Sequence, residues 1–149
     1  MSSEREIEVR EFVARDVRGA LELWSSTEGL GLNESGTLEA IERFLQRNAG
    51  FSAVATSSDA TMIGAVLCGH DGRRGTIHHL AVAEAWRRRG VGKKLLEYCL
   101  GRLERAQIPR CNLFLYNENA EGMRFWAHNG WDVATTWQTL QKRFQDGRT

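Results

Sequence analysis

The chain has a single proline, Pro109, in 149 residues, and no Pro/Ser-rich linker, internal repeat or low-complexity tract divides it. One domain over residues 1–149 is the expectation, at a length that closes a hydrophobic core without staples or metal. Long apolar runs are missing too. The stretch through Ile63–Cys68 includes a glycine and falls far short of the roughly 20 apolar residues that cross a bilayer. Residues Met1–Arg10 mix charges with isolated apolar side chains and contain no apolar signal core. These absences predict a soluble cytoplasmic protein with no membrane partner. Cysteine is scarce: Cys68, Cys99 and Cys111 lie inside apolar stretches, without C-x-x-C or Cys/His spacing. They read as small core residues of a protein in a reducing compartment, and no metal site is expected.

Net charge is also lacking. Twenty basic residues against 19 acidic ones leave +1, which argues against a nucleic-acid partner. The distribution is less even than the total, because Arg87–Lys94 holds five basic side chains and no acidic one.

Periodicity orders the elements. Ile7, Val9 and Glu11 with Val13 alternate as a strand, and Asp16 then reads as the cap of a short helix with Val17, Ala20, Leu21 and Trp24 on its apolar side. Residues Ser25–Gly36 are loop-like, and Leu38, Ile41, Phe44 and Leu45 recur at helical spacing. Phe51–Thr56, Met62–His70 and Gly75–Val82 are strand-like and joined by turn residues, which predicts an antiparallel meander. A polar loop, Ala83–Arg89, leads to a helix with Val91, Leu95, Leu96, Cys99, Leu100 and Leu103 on one face, ending before Pro109. Asn112–Tyr116 reads as a strand and Ala120–His128 as a helix. Trp131–Val133 and Leu140–Phe144 read as a last pair of strands. The order β-α-α-β-β-β-α-β-α-β-β is that of an α/β or α+β mixed sheet.

The chemistry is concentrated in Arg87-Arg88-Arg89-Gly90-Val91-Gly92-Lys93-Lys94, set between a strand and the first turn of an amphipathic helix. A helix start leaves N–H groups unpaired, and glycines let an anion reach them, so the position suggests a phosphate cradle. Two familiar phosphate loops do not fit. The dinucleotide fingerprint would need glycine or alanine at Leu95, and the Walker loop would need glycine at Arg87 and Ser or Thr at Lys94. What remains is R-x-x-G-x-G. With His79-Leu80-Ala81-Val82 before it, this segment closely resembles the phosphate arm of the GCN5-related N-acetyltransferases (GNAT). Ile63-Gly64-Ala65-Val66 and its hairpin partner are similar to the family's central meander, and Asn119–Trp131 to its downstream N-x-x-A-x-x-x-Y-x-x-x-G-F block.

The resemblance implies a three-layer fold, with a central, mostly antiparallel twisted sheet flanked by about four helices. It implies acetyl-CoA as cofactor and an amine as the acceptor, which attacks the thioester directly in a ternary complex; dimers are common for such folds, so a homodimer is allowed. Carried onto this chain, it puts Arg87, Arg88, Arg89, Gly90, Val91, Gly92 and Lys93 on the phosphates. Leu80, Ala81 and Val82 fall on the pantetheine arm, and Asn119 on a downstream cofactor contact. The family's usual acid, a tyrosine, is replaced here by Trp126. An indole N–H does not titrate usefully, so Trp126 is expected to wall the acyl pocket beside the thiol. Tyr116 is the nearest alternative phenol.

For the base, the sequence offers His78 and His79 in the strand that would underlie the thioester. Strict alternation puts one on each face, and His78, sharing parity with Leu80 and Val82, is preferred. The acceptor site of the family is bordered by the first two helices and the final hairpin, which nominates Trp24, Glu28, Asn33, Glu34 and Trp137. Two function classes follow: an N-acetyltransferase acting on a primary amine of a small molecule, a peptide N-terminus or a protein lysine, or a noncatalytic acyl-CoA-binding module of the same fold.

Overall fold

The computed structural model describes residues 7–27, 30 and 36–144. Five strands form one sheet in sequence order: β1 (Glu8–Glu11), β2 (Ala53–Thr56), β3 (Met62–His70), β4 (Gly75–Val82) and β5 (Cys111–Leu113). The first four pair antiparallel and β5 joins β4 in parallel, as a strand entered through a helical crossover must. Among the described residues four α-helices accompany it: α1 (Val17–Ser25), α2 (Leu38–Arg47), α3 (Val91–Arg105) and α4 (Ala120–His128).

Each face of the sheet buries its own cluster. On one side Phe12, Val17, Ala20 and Trp24 with Ile41 of α2 cover Val54, Ala65, Leu67 and Ala81. On the other, Val91, Leu95, Leu96, Cys99 and Leu103 of α3, with Trp126 of α4, cover Ala53, Ala55, Val66, Cys68 and Ile77. A sheet buried on both faces explains the near-continuous apolar reading of β3, whose interior is buried throughout. The serine before β2 closes the pair: Ser52 Oγ accepts from the Cys68 N–H at 2.8 Å and donates to its carbonyl at 3.2 Å.

Three expectations are corrected. Asp16 stands at the N-cap position of α1, but its side chain caps no helical N–H. The carboxylate instead takes two hydrogen bonds of 2.8 Å from the Arg10 guanidinium and one of 3.0 Å from the Val13 N–H. Strand β5 begins at Cys111 and stops at Leu113, because only three of its residues find partners on β4. Trp131–Val133 and Leu140–Phe144 form no strands. No ladder forms on them, and Val133 and Leu140 stay 65% and 85% exposed. By contrast α2 starts as its sequence dictates, with Thr37 accepting from the Ala40 N–H.

Candidate active site

Strands β4 and β5 are paired only from Gly75 to Ile77, against Cys111–Leu113. Beyond Ile77 the β5-side edge of β4 has no strand partner among the described residues, so the sheet opens as a wedge along His78–Val82. The stretch Leu80–Val82 therefore leaves that edge open to an extended ligand, which would add to the sheet as a strand does, apart from the Val82 carbonyl, which the Arg87 side chain takes.

The polar loop leaves the top of this wedge. It makes a short 3-10 turn, Glu84–Trp86, and enters α3 through Gly90. Gly90 has φ +82°, a left-handed conformation that glycine adopts without a Cβ penalty. No side chain caps the helix and no acid sits in its first turn. The first intrahelical bond runs from the Lys94 N–H to the Gly90 carbonyl at 3.0 Å, so the N–H groups of Val91, Gly92 and Lys93 point outward unspent. Val91 and Gly92 are buried while Arg87, Arg88, Arg89 and Lys93 are exposed, so the first two can offer backbone only and the others charge.

The basic residues are not equivalent. Arg87 Nε donates to the Val82 carbonyl at 3.0 Å, tying the loop to the end of β4. Arg89 lies over the Trp86 ring at 4.8 Å from its centroid. Arg88, two residues before Gly90, adopts φ +66°, also in the left-handed region. Two partners of this loop were missed in the sequence. One is Trp86, whose place four residues before Gly90 gave no signal; the other is Phe125, whose ring leaves a Cβ at Gly92 only 3.2 Å of room. A glycine at this position lets α4 close over the start of α3.

The two histidines depart from strict alternation. The β3–β4 register slips between Ala65 and Leu67, where two residues of β4, His79 and Leu80, oppose the single Val66 of β3, and His79 takes φ +58° in that bulge. The slip inverts the face. Ile77 packs on the α3 side, yet Leu80 and Val82 pack there too, while Ala81 faces α1 and α2. His78 and His79 both end on the α1/α2 side. The His78 ring meets Phe44 edge-on at 5.6 Å, the His79 ring meets Trp24 at 5.1 Å, and the two imidazoles are 6.2 Å apart. Burial lowers the His78 pKa from its ordinary 6.5; burial and then the neighbouring His78 pull His79 down to about 4. Both are neutral bases at pH 7. The parity that set His78 with Leu80 and Val82 is thus undone by the bulge.

Other nominated residues fall elsewhere. Tyr116 is not a strand residue: it sits in the turn before α4, 55% exposed, its carbonyl accepting from the Asn119 N–H. Asn119 is the N-cap of α4, with Oδ1 taken by the Gly122 N–H at 2.8 Å. Trp126 is 8% exposed and packs edge-on against Phe125 and Trp131, which makes it a core residue. Trp137 lies by Arg74, at the entry end of β4, whereas the basic loop leaves from the exit end. Trp24 is fully buried beside His79. Glu28, Asn33 and Glu34 lie outside the described residues. Cys68 and Cys99 are buried, and burial pushes the Cys111 thiol up to about 12, so no thiol is poised as a nucleophile. No cluster of metal-ligating side chains occurs among the described residues.

Residues 18–131 match the model of the acetyltransferase (GNAT) family, and the chain belongs to that family. It is thereby an acyltransferase of the N-acetyltransferase class. An acetyltransferase of Yersinia enterocolitica is 28% identical over 113 residues, covering 76% of this chain and 79% of that protein. Among solved structures, Ard1 from Thermoplasma volcanium superposes with a TM-score of 0.77 at 20% identity, over 87% of this chain and 85% of that one. The PaiA N-acetyltransferase of Thermoplasma acidophilum, solved in complex with coenzyme A, gives 0.75 at 20% identity, over 90% and 92%. The mixed, mostly antiparallel sheet with four helices is the fold of these structures. No helix among the described residues is long and apolar enough to cross a membrane.

Proposed function

We propose that the chain transfers an acetyl group from acetyl-CoA to a primary amine, of a small molecule, a peptide N-terminus or a protein lysine, by direct attack. The observation that carries this reading is the start of α3, an uncapped helix N-terminus with no acid in its first turn and exposed basic residues around it. Basic residues there oppose the helix dipole unless an anion joins them. A pyrophosphate fits the cradle: the N–H groups of Val91, Gly92 and Lys93 and the side chains of Arg88, Arg89 and Lys93 would hold it. Arg87 holds the loop to Val82 and adds charge. The unpaired edge at Leu80, Ala81 and Val82 would take the pantetheine amides. Asn119 retains its side-chain NH2 for the downstream contact.

When bound, the cofactor supplies the activated thioester. The chain's own part is to align an amine with it and to remove a proton. His78 is the base: it is neutral at pH 7, half-buried on the α1/α2 face, and its ring makes no hydrogen bond to a described residue. Glu28, Asn33 and Glu34, which lie outside the described residues, would border the acceptor, and the buried Trp24 would act on that site through His79.

One observation favours the noncatalytic alternative, an acyl-CoA-binding module. The position of the usual tyrosine holds a core tryptophan, and the nominated phenol, Tyr116, stands exposed on a turn. The two readings separate in a thiol-release assay with acetyl-CoA over a panel of amines, amino acids and peptides, run beside thermal unfolding with cofactor. Acetyltransferase activity predicts a Tm gain and acceptor-dependent thiol release; a Tm gain without release on any amine would favour the module. No Tm gain would overturn both.

A further inference from the structure

Trp24 is fully buried, and its indole Nε1 is the one buried side-chain nitrogen or oxygen among the described residues that has no hydrogen-bond partner. A buried donor left unpaired is destabilising, and such exceptions concentrate where a site uses the group. The rings in contact with it are Phe12, at 6.0 Å and tilted 33°, and His79, at 5.1 Å and tilted 55°. Phenylalanine has no lone pair to offer. The imidazole has one, and neither of its nitrogens bonds to a described residue. Of the two rings, only the imidazole can accept a hydrogen bond, and its centroid lies 5.1 Å from that of the indole.

The backbone supports the same pairing. His79 occupies the left-handed region at φ +58°, uncommon for a residue with a Cβ, and the bulge that imposes it carries the side chain across to Trp24. In an unbulged strand His79 would face α3 and the indole would lose this neighbour.

We propose that Trp24 is a positioning residue for His79: its indole N–H donates to one imidazole nitrogen, fixing the tautomer, so that the other nitrogen keeps its hydrogen and donates to an oxygen of the bound substrates. The two adjacent histidines then divide the work. His78 accepts a proton from the amine, while His79, neutral across the physiological range, acts as an uncharged hydrogen-bond donor at the reacting carbonyl or at an acceptor oxygen. His79 needs no proton transfer in this role, and atoms and charges stay where they are.

The catalytic use of His79 rests on the acetyl-transfer reading; the tautomer does not, and the test keeps them apart. Full-length protein labelled with 15N in histidine and tryptophan is observed by NMR at pH 7, alone and with coenzyme A. With coenzyme A bound, His79 should show one pyrrole-like and one pyridine-like nitrogen, and the Trp24 indole proton should move downfield. Trp24→Phe should let the two tautomers mix. In case that variant fails to fold, His79→Phe should abolish the indole shift while His79→Asn, which tolerates a left-handed backbone and can accept, should keep it. Tautomers that mix in the parent protein, or an indole shift that survives in His79→Phe, would overturn the proposal. In turnover, Trp24→Phe should lower kcat about tenfold and leave KM for acetyl-CoA within about twofold. An unchanged kcat beside a fixed tautomer would remove His79 from the chemistry.

Discussion

His78 and His79, consecutive residues of β4, stand on the same side of the sheet with their imidazoles 6.2 Å apart, because the bulge at His79 cancels the alternation that would separate them. Their environments differ: His78 meets the phenyl ring of Phe44 from α2, and His79 the indole of Trp24 from α1. Burial holds both below the ordinary histidine value, so each is an unprotonated base before an amine arrives.

This fixes the pH dependence. A base with a depressed pKa is fully neutral at pH 7 and is lost only as the pH falls through its lowered value. The acid limb of kcat/KM should therefore lie below pH 6.5, and His78→Ala should lower kcat at least tenfold with acetyl-CoA affinity nearly unchanged. Stopped initial rates from pH 5 to 9 test both. A limb at or above pH 7, or an unaffected rate in the variant, removes His78 as base.

At the cofactor loop, Arg87 and Arg88 should fail differently. Arg87→Ala loses charge and also the 3.0 Å bond from Nε to the Val82 carbonyl. Arg88→Ala loses charge alone and relieves nothing, since alanine tolerates φ +66° no better than arginine. Calorimetry should show coenzyme A affinity falling about three- to tenfold for Arg88→Ala, or ~0.6–1.4 kcal/mol, and further for Arg87→Ala. The Arg88→Ala loss should shrink at high salt, being mainly screened charge. For Arg87, lysine should restore little, because it has no Nε–H placed to reach the carbonyl. Equal affinities for all variants and the parent would place the phosphates elsewhere.

Much of this was legible in the residues. Helix α4 runs over the range its sequence marks, Ala120–His128, because Asn119 offers a cap and Gly130, at φ +91°, a stop. The meander was legible because its turns carry Ser, Asp and Gly. The R-x-x-G-x-G loop was legible because an uncapped helix start with glycines and arginines has few other uses. The bulge was not, since nothing in Ile77-His78-His79-Leu80 marks a residue that will go left-handed. That single dihedral moved His79 to the other face. The capping role of Asp16 was misread because Arg10, six residues back, competes for the same carboxylate with a bidentate bond. The last two strands misled because apolar residues set among polar ones can suit a strand, while pairing depends on an edge that these segments do not join.

The Arg10–Asp16 pair makes a stability prediction. Burial on its own would raise the Asp16 carboxyl, but the Arg10 hydrogen bonds and the Val13 N–H outweigh it and hold it below its ordinary 3.8. A depressed carboxylate stabilises the fold above its unfolded value and stops doing so as the pH falls through the folded one. Asp16→Asn should therefore cost about 2 kcal/mol at pH 7, lowering Tm by roughly 4–8 °C, with part of the pair's strength screened at the half-exposed arginine. The deficit should narrow below pH 4. Thermal unfolding at pH 3.5 and pH 7 measures it, and a gap that stays constant would show that the charge contributes nothing.

Trp126 separates packing from chemistry at the position where the family's usual acid would stand. It is 8% exposed, with Phe125 and Trp131 edge-on at 5.3 and 5.0 Å, and Phe125 in turn lies over the start of α3. Removing the indole empties the centre of that aromatic group. Trp126→Ala should cost about 3–5 kcal/mol, a large part of a small domain's stability, and lower Tm by roughly 10 °C or more. Coenzyme A should recover part of the loss by mass action, because the collapsed aromatic group still borders an intact loop. Trp126→Tyr keeps a ring in place and brings a phenol, so it should cost far less and hold or raise turnover. A Tm change of under about 2 °C in Trp126→Ala would mean that the indole is a pocket wall and not part of the core. A collapse of kcat in a well-folded Trp126→Tyr would mean that the indole N–H itself serves the reaction.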